Sequence, residues 1–385
     1  MWEPLKAAGT VKLRRPPRQS RGTSLGDLVL LFFFALISCQ KNPSSTSNDA
    51  SSAGIAVSDQ RQSEAHSQAG IQTPVVVRQQ QHMSTTVTIT VAAPETMQVL
   101  QAIEAAFAEV ARLAGMLSEF IPNSEVSAIN QQAGIGPVQV DEELFHVVQK
   151  SLEVSVDSEG AFDITWAALS GLWDFHSPNP RVPSQDEIKP RIALIDYRQV
   201  IIDENKHTIM LKKPGMRIGL GGIAKGYVVD RAGLVLKQRG YPNYVIVAGG
   251  EVFASGRKGA QRWAVGILDP RDRSVYAEIE IEDEAVTTSG INERFFIVDG
   301  VRYHHIIDPR TGMPSRGISS ATILAKSTLD ADAYDTACVL LGKDKALRLA
   351  RKKHFEVLLF DDNNQTSGTS EILARIIKGA AAPSQ

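Results

Sequence analysis

Residues 86–91 alternate apolar and polar side chains, and a few residues later the period changes: Val99, Ile103, Phe107, Val110, Leu113 and Leu117 recur at helical spacing. Period 2 turns one side of a strand to a core and period 3.6 turns one stripe of a helix to it, so this pair demands a helix laid on a sheet. A second helix is expected over residues 141–156, with Leu144, Val148 and Leu152 on one face, and a third over 222–239, stopped by Gly240. Strands then dominate: 244–248, 263–268, 275–281, and a hairpin of 295–298 with 301–305 across Asp299-Gly300. The last third reads as strand 320–325, helices 329–341 and 343–353, and strand 356–360. Hairpins stand apart from helices rather than alternating with them. That arrangement predicts an α+β fold, mixed or antiparallel sheets with packed helices in two closely joined lobes, over residues 83–378.

The N-terminus carries a separate instruction. Lys12, Arg14, Arg15, Arg18 and Arg21 precede an apolar run over 28–37, too short to span a bilayer and the right length for a signal-peptide core. The run closes on Leu36-Ile37-Ser38-Cys39, which resembles the lipobox of bacterial lipoproteins. Residues 1–38 are therefore expected to be a lipoprotein signal peptide, with Cys39 the lipidated first residue of a mature protein anchored in the bacterial cell envelope and facing the periplasm. Residues 40–81 are rich in Ser, Gln and Ala and poor in large apolar side chains, so 39–82 reads as a disordered tether and 379–385 as a tail. The second cysteine, Cys338, lies among Ala337, Val339 and Leu340 and reads as a core thiol. A net charge of −2, with no concentrated basic face, excludes a nucleic-acid partner.

Three segments concentrate chemistry. Gly219, Gly221, Gly222 and Gly226 surround the expected start of the third helix, where free N–H groups and the helix dipole favour an anion such as a diphosphate, with Lys225 at hand to neutralise it. Asp332 and Thr336, at i and i+4, put two hard oxygens on one helix face, a reasonable partial shell for Mg²⁺, while Asp330 and Asp335 read as ordinary helix acids. His305 ends a strand before the turn Asp308-Pro309-Arg310-Thr311-Gly312 and can serve as a general base, with His304 turned to the opposite face. Aromatic surface for a flat heteroaromatic ring is offered by Phe120 and by Phe162, Trp173 and Phe175.

In this order the segments resemble the ApbE family of flavin transferases. The likeness runs from Met83 to about Ile377 through Ser118-Glu119-Phe120 to Asn130, Phe162-Asp163-Ile164-Thr165 with Leu172-Trp173, and Gly219 to Gly226 with Asp230. It continues through Gly249-Gly250-Glu251, Thr288-Ser289-Gly290 with Arg294, His305 to Gly312, and Ala331 to Thr336. The resemblance implies FAD as substrate, split at its pyrophosphate, with FMN joined by a phosphoester to a Ser or Thr hydroxyl of an acceptor protein and AMP released. It implies Mg²⁺ or another divalent cation on the Ala224 carbonyl, Asp332 and Thr336, and FAD near Met83, Phe120, Gly160, Ala161, Phe162, Asp163, Gly221, Tyr227 and Ile307. His305 and Asp332 would be the catalytic pair, and the acceptors would be flavin-bearing subunits of membrane redox complexes. The chain departs from the family at Trp166-Ala167-Ala168, where a small or β-branched residue, glycine and proline are usual. Two rival readings are an FAD pyrophosphatase, with water in place of the acceptor hydroxyl, and a lipoprotein that binds flavin without turnover.

Overall fold

The computed structural model describes residues 55–57 and 73–378. The signal peptide, Cys39 and the tail lie outside the described residues. The chain opens with β1 (Ile55–Val57), β2 (Val76–His82), β3 (Thr85–Val91), α1 (Met97–Met116), α2 (Glu125–Gln131), β4 (Val138–Gln139) and α3 (Glu142–Asp157). It continues through α4 (Gln185–Ile192), β5 (Val200–Asp203), β6 (Thr208–Leu211), α5 (Ala224–Gln238), β7 (Tyr244–Ala248), β8 (Glu251–Ser255), β9 (Trp263–Leu268), β10 (Val275–Ile281) and β11 (Glu284–Gly290). Then come β12 (Phe295–Val298), β13 (Val301–His304), β14 (Ile307–Asp308), β15 (Met313–Pro314), β16 (Ile318–Ala325), α6 (Thr328–Leu341) and α7 (Lys343–Lys353). The last elements are β17 (Glu356–Asp361), β18 (Thr366–Gly368), α8 (Ser370–Arg375) and β19 (Ile377–Lys378).

The fold is α+β, as the patterning predicts. One eight-stranded sheet, in the order β18-β17-β16-β11-β8-β7-β3-β2, is its spine, and every pair in it is antiparallel. Its strands serve two cores. On one side α1, α5 and α6 pack with Val87, Ile89, Ile246, Ala321 and Ile323. On the other, Val245, Val252, Val286, Leu324, Leu358 and Phe360 meet Trp263, Val265, Ile279 and Ile281 of a four-stranded sheet ordered β1-β9-β10-β19. The two lobes thus share one sheet.

The first helix behaves as its spacing requires. Thr96 caps it by accepting from the Val99 N–H at 3.4 Å, and Val99, Ile103, Phe107, Val110 and Leu113 are buried. Each such side chain contributes roughly 1.5–3 kcal/mol by leaving water, which fastens α1 to the sheet and to α5.

One expected boundary is overturned. The tether assigned to 39–82 is interrupted by β1, which pairs with β9, and by β2, which forms the sheet's outer strand against β3. The sequence Val-Val-Arg-Gln-Gln-Gln-His hides this strand because only Val76 in it is buried. An edge strand whose outer side faces water needs no apolar alternation, and its polar, charged residues suit an edge.

Candidate active site

The glycine segment ahead of α5 is held by three side chains and one backbone carbonyl from distant parts of the chain. Asn130 of α2 donates to the Ile218 carbonyl at 3.0 Å and accepts from the Ile218 N–H at 2.7 Å. The Gly219 N–H donates to Ile164 O at 2.9 Å, and the Trp166 indole N–H donates to Gly219 O at 3.2 Å. Glu119, whose carboxyl burial pushes upward, accepts from the Leu220 N–H. A side chain at Gly219 would press on Glu119 Oε1 at 2.7 Å, so only glycine fits.

What this clamp leaves free is the helix start. Ile223 and Ala224 both donate to Leu220 O, whereas the N–H groups of Gly221 and Gly222 take no backbone partner among the described residues. No side chain caps α5. Gly221 faces open space, with nothing within 4 Å of where a Cβ would stand. Unpaired amides at an uncapped helix N-terminus suit an anion. The position of a Gly222 Cβ lies 3.3 Å from both Phe162 Cε2 and Thr336 Oγ1, so the glycine segment, the Phe162 segment and α6 converge there.

α6 meets α5 at closest range beside that opening. A Cβ on Gly226 would overlap the Thr328 carbonyl and stand 2.8 Å from Asp332 Cβ. Asp230 of α5 ties down the first turn of α6, accepting from Ser327 Oγ, Thr328 N and Leu329 N at 3.0 Å each. Asp332 accepts from the Gly226 N–H at 2.8 Å. Lys225 pairs with Glu251 at the start of β8. Thr336 Oγ1 donates to Asp335 Oδ1 at 3.2 Å and lies 3.5 Å from Ser289 Oγ.

These contacts gather carboxylates faster than cations. Glu251, Asp332 and Asp335 are all buried. Burial pushes Asp332 up against the opposing pull of Lys225, and pushes Asp335 well up with help from Asp332 and Glu251. Burial would lower Lys225, but Glu251, Asp332 and Glu293 overcome it and hold the ammonium charged. Glu251 Oε2 and Asp335 Oδ2 have no hydrogen-bond partner. Unpaired hard oxygens in a cluster short of positive charge are the donor chemistry a hard divalent cation takes. Among the described residues no three His, Cys, Asp or Glu groups converge to enclose an ion by themselves.

His305 stands at the far end of the β12–β13 hairpin, its N–H donating to Arg294 O at 3.1 Å. Burial, then Arg294 and Lys225, lower its pKa from 6.5 to about 4, so the ring is neutral at pH 7 with Nδ1 unpartnered. His304 turns the other way, as expected, its Nε2 3.0 Å from Ser315 O.

The remaining expected residues divide. Met83 sits at φ +50° in the β2–β3 turn, two residues before Thr85, whose hydroxyl lies near Gly249 at the end of β7. Gly160 takes φ +78°, Ala161 and Phe162 are buried, and Ile307 is buried in β14. Phe120 is 79% exposed, a ring presented to solvent. Two of the side chains have partners within the protein. Asp163 accepts from Thr165 N, Thr165 Oγ1 and Tyr197 N at 2.8, 2.6 and 2.9 Å, capping the short helix Ile164–Leu169. It orders the wall beside Phe162. Tyr227 turns toward α3, its hydroxyl donating to Glu143 Oε1 at 3.0 Å with its ring against His146, because it sits one residue past the Gly226 contact, about 100° around the helix. Arg310 binds Asp308 and the Leu340 carbonyl, stapling the turn to the end of α6. Trp173 donates to Gly312 O at 2.9 Å and stacks with Phe175, Phe296 and Tyr303.

Asp335, Glu251, Glu293 and Arg294 are the members that sequence reasoning did not assign. For Asp335 the signal was present: an acid three residues after Asp332, beside Thr336 on the same side of the helix.

An antiparallel α+β fold with an uncapped, glycine-lined helix start, a buried acidic cluster and a neutral histidine defines a class of enzyme that handles an anionic substrate. The comparisons say which. The ApbE family model matches residues 83–359, and this chain belongs to the ApbE family. It is 36% identical over 272 residues to the FAD:protein FMN transferase of Treponema pallidum, covering 66% of this chain and 75% of that one. The crystal structure of the ApbE protein from Thermotoga maritima superposes with a TM-score of 0.73 at 33% identity, over 78% of this chain and 99% of that chain. The flavin transferase ApbE from Vibrio cholerae gives 0.70 at 28% identity over the same shares.

Proposed function

We infer that the protein is an FAD:protein FMN transferase, which moves FMN from FAD to a Ser or Thr hydroxyl of an acceptor protein and releases AMP. The observation that carries the reading is the meeting of the free Gly221–Gly222 amides with Thr336, Asp332 and Lys225 at one helix start. A diphosphate needs such amides, and its cleavage needs positive charge against acids able to hold it.

The acceptor oxygen forms a bond to the FMN phosphorus while the bridging P–O bond breaks, and AMP leaves with that electron pair. His305, neutral and with Nδ1 unpaired, is the group we assign to receive the hydroxyl proton. The Gly221 and Gly222 amides orient the diphosphate and Lys225 opposes its charge. A divalent cation, Mg²⁺ in this reading, would be held by the Ala224 carbonyl, Asp332 and Thr336, with Asp335 beside them, and would neutralise charge on the phosphoryl oxygens. We assign the flavin and adenosine parts to the surfaces near Met83, Phe120, Gly160 to Phe162 and Ile307. The acceptors in this reading are flavoprotein subunits of membrane redox complexes, reached by a protein anchored through Cys39.

The test is incubation with FAD and Mg²⁺, with and without a hydroxyl-bearing flavoprotein subunit, followed by chromatography for AMP and mass spectrometry of the subunit. Stoichiometric AMP and FMN-modified subunit are expected. AMP with free FMN and unmodified subunit would mean that water is the acceptor.

A further inference from the structure

The β12–β13 hairpin belongs to neither large sheet and has no third strand among the described residues. Its two-residue loop, Asp299 at φ +51° and Gly300 at φ +74°, is a type I′ turn, which closes on a hydrogen-bonded pair, Val298 with Val301. Alternation then makes Phe296 with Tyr303, and Arg294 with His305, the further bonded pairs. The His305 N–H to Arg294 O bond at 3.1 Å is the one this register requires. Phe295 and Ile297 therefore aim both backbone groups away from β13, along a free edge.

The side chains divide the same way. Phe296 and Tyr303 pack on Trp173, ring centres 6.2 and 5.9 Å away. Phe295 and Ile297 occupy the other face, 37% and 59% exposed. The Arg302 guanidinium lies 4.2 Å from the Phe295 ring centre. Edge strands are usually blunted by charge or proline, and β12, Phe-Phe-Ile-Val, contains neither.

We propose that this edge docks the acceptor protein, an extended segment carrying the target hydroxyl adding to β12 as a third strand. The proposal rests on the transferase reading. Its occupant follows from the position of the edge: β12 begins one residue after Arg294, whose carbonyl holds His305. A strand laid along the free edge of β12 runs to Arg294, the residue paired with the histidine assigned to take the acceptor proton. Of the two substrates, FAD has the glycine opening, and only a polypeptide can use a ladder of main-chain donors and acceptors. Strand addition supplies affinity from backbone bonds and leaves side-chain choice to the exposed Phe295–Ile297 face.

The experiment uses a recombinant flavoprotein subunit that the wild-type protein labels with FMN; failure of any such labelling would strike the transferase reading, separately from this one. Two variants probe the edge. Ile297→Pro removes an outward N–H at a position where no hairpin bond is lost, and Ile297→Thr removes exposed apolar surface. Both should raise the KM for the subunit at least about tenfold, with FAD affinity by flavin fluorescence and kcat at saturating subunit each within about twofold. Hydrogen exchange gives a readout independent of turnover and of variant folding: the amides of Phe295 and Ile297 in the wild-type protein should slow when the subunit is added. Unchanged exchange, or an unchanged KM in a folded variant, overturns the proposal. So does protection that appears without the subunit, whether it grows with protein concentration, which would mean a second copy on the edge, or does not, which would mean the chain's own N-terminal residues.

Discussion

Asp332 is asked to do two things that oppose each other. Its carboxylate holds the Gly226 N–H, and it adds negative charge to a buried cluster in which Lys225 touches only Glu251. Asp332→Asn keeps an oxygen for the amide and removes the charge. We predict that it abolishes Mg²⁺-dependent AMP release, by about a hundredfold or more, while the protein in chelator melts no lower than wild type. Mg²⁺ should raise the melting temperature of wild type and leave that of the variant unmoved; an equal rise in both would remove Asp332 from the cation. The cluster also sets the pH dependence of the metal-free fold. Asp332, Asp335 and Glu251 are all raised by burial, so folding takes up protons and stability grows as pH falls through their folded values. His304 and His305 have the opposite sign. Burial lowers both from 6.5 to about 4, so the stability of their neutral forms is fully present above 6.5 and is lost as pH falls from there toward 4. The raised acids should make thermal stability in chelator fall from pH 6.5 toward 9, and Asp335→Asn should flatten that alkaline side; a profile still rising from 6.5 to 9 would contradict these assignments. The same shift governs turnover. His305→Asn should lower FMN transfer roughly a hundredfold with FAD binding kept, and the acidic limb in wild type should lie near pH 4 rather than 6.5.

At the scale of elements the site depends on how closely α5 and α6 approach, and that distance is set by one glycine. Gly226→Ala would drive a methyl into the Thr328 carbonyl and the Asp332 side chain, so the helices must part. A loss of about 1–3 kcal/mol is expected from overpacking of this kind. Mg²⁺ should then no longer stabilise the protein. Gly221→Ala is the contrast: the space beside it is open, so calorimetry should show an unchanged melting temperature while FAD binds several-fold more weakly. A stable Gly226→Ala protein with normal Mg²⁺ response would show that the crossing can relax. The helices themselves were legible, α1, α3, α5 and α6 each falling within two residues of the span its periodicity predicts. The crossing was not, because Gly226 reads in sequence as one more glycine of a ligand loop and only the partner helix reveals it as a contact. For Asp163 and Tyr227 the sequence gives a place in the chain, but only the local hydrogen bonds show which way their polar atoms point. β2 escaped because an outer strand lacks the burial that makes a strand visible.

At the scale of the whole molecule, our proposal that the acceptors are membrane subunits turns on the reading of the N-terminus. Patterning marks the folded region from Met83 onward, and the described residues also include β2 and β1. No described helix is long and apolar enough to cross a membrane. If Cys39 is lipidated, wild type should stay with membranes through high-salt and carbonate washing, both of which strip proteins held by charge. Cys39→Ala should move to the soluble fraction while keeping full AMP release on a soluble acceptor, because the change lies before the first described strand. Retention of Cys39→Ala on washed membranes would leave the uncleaved apolar run over 28–37 as the anchor, and an intact N-terminus by mass spectrometry would then be the deciding measurement.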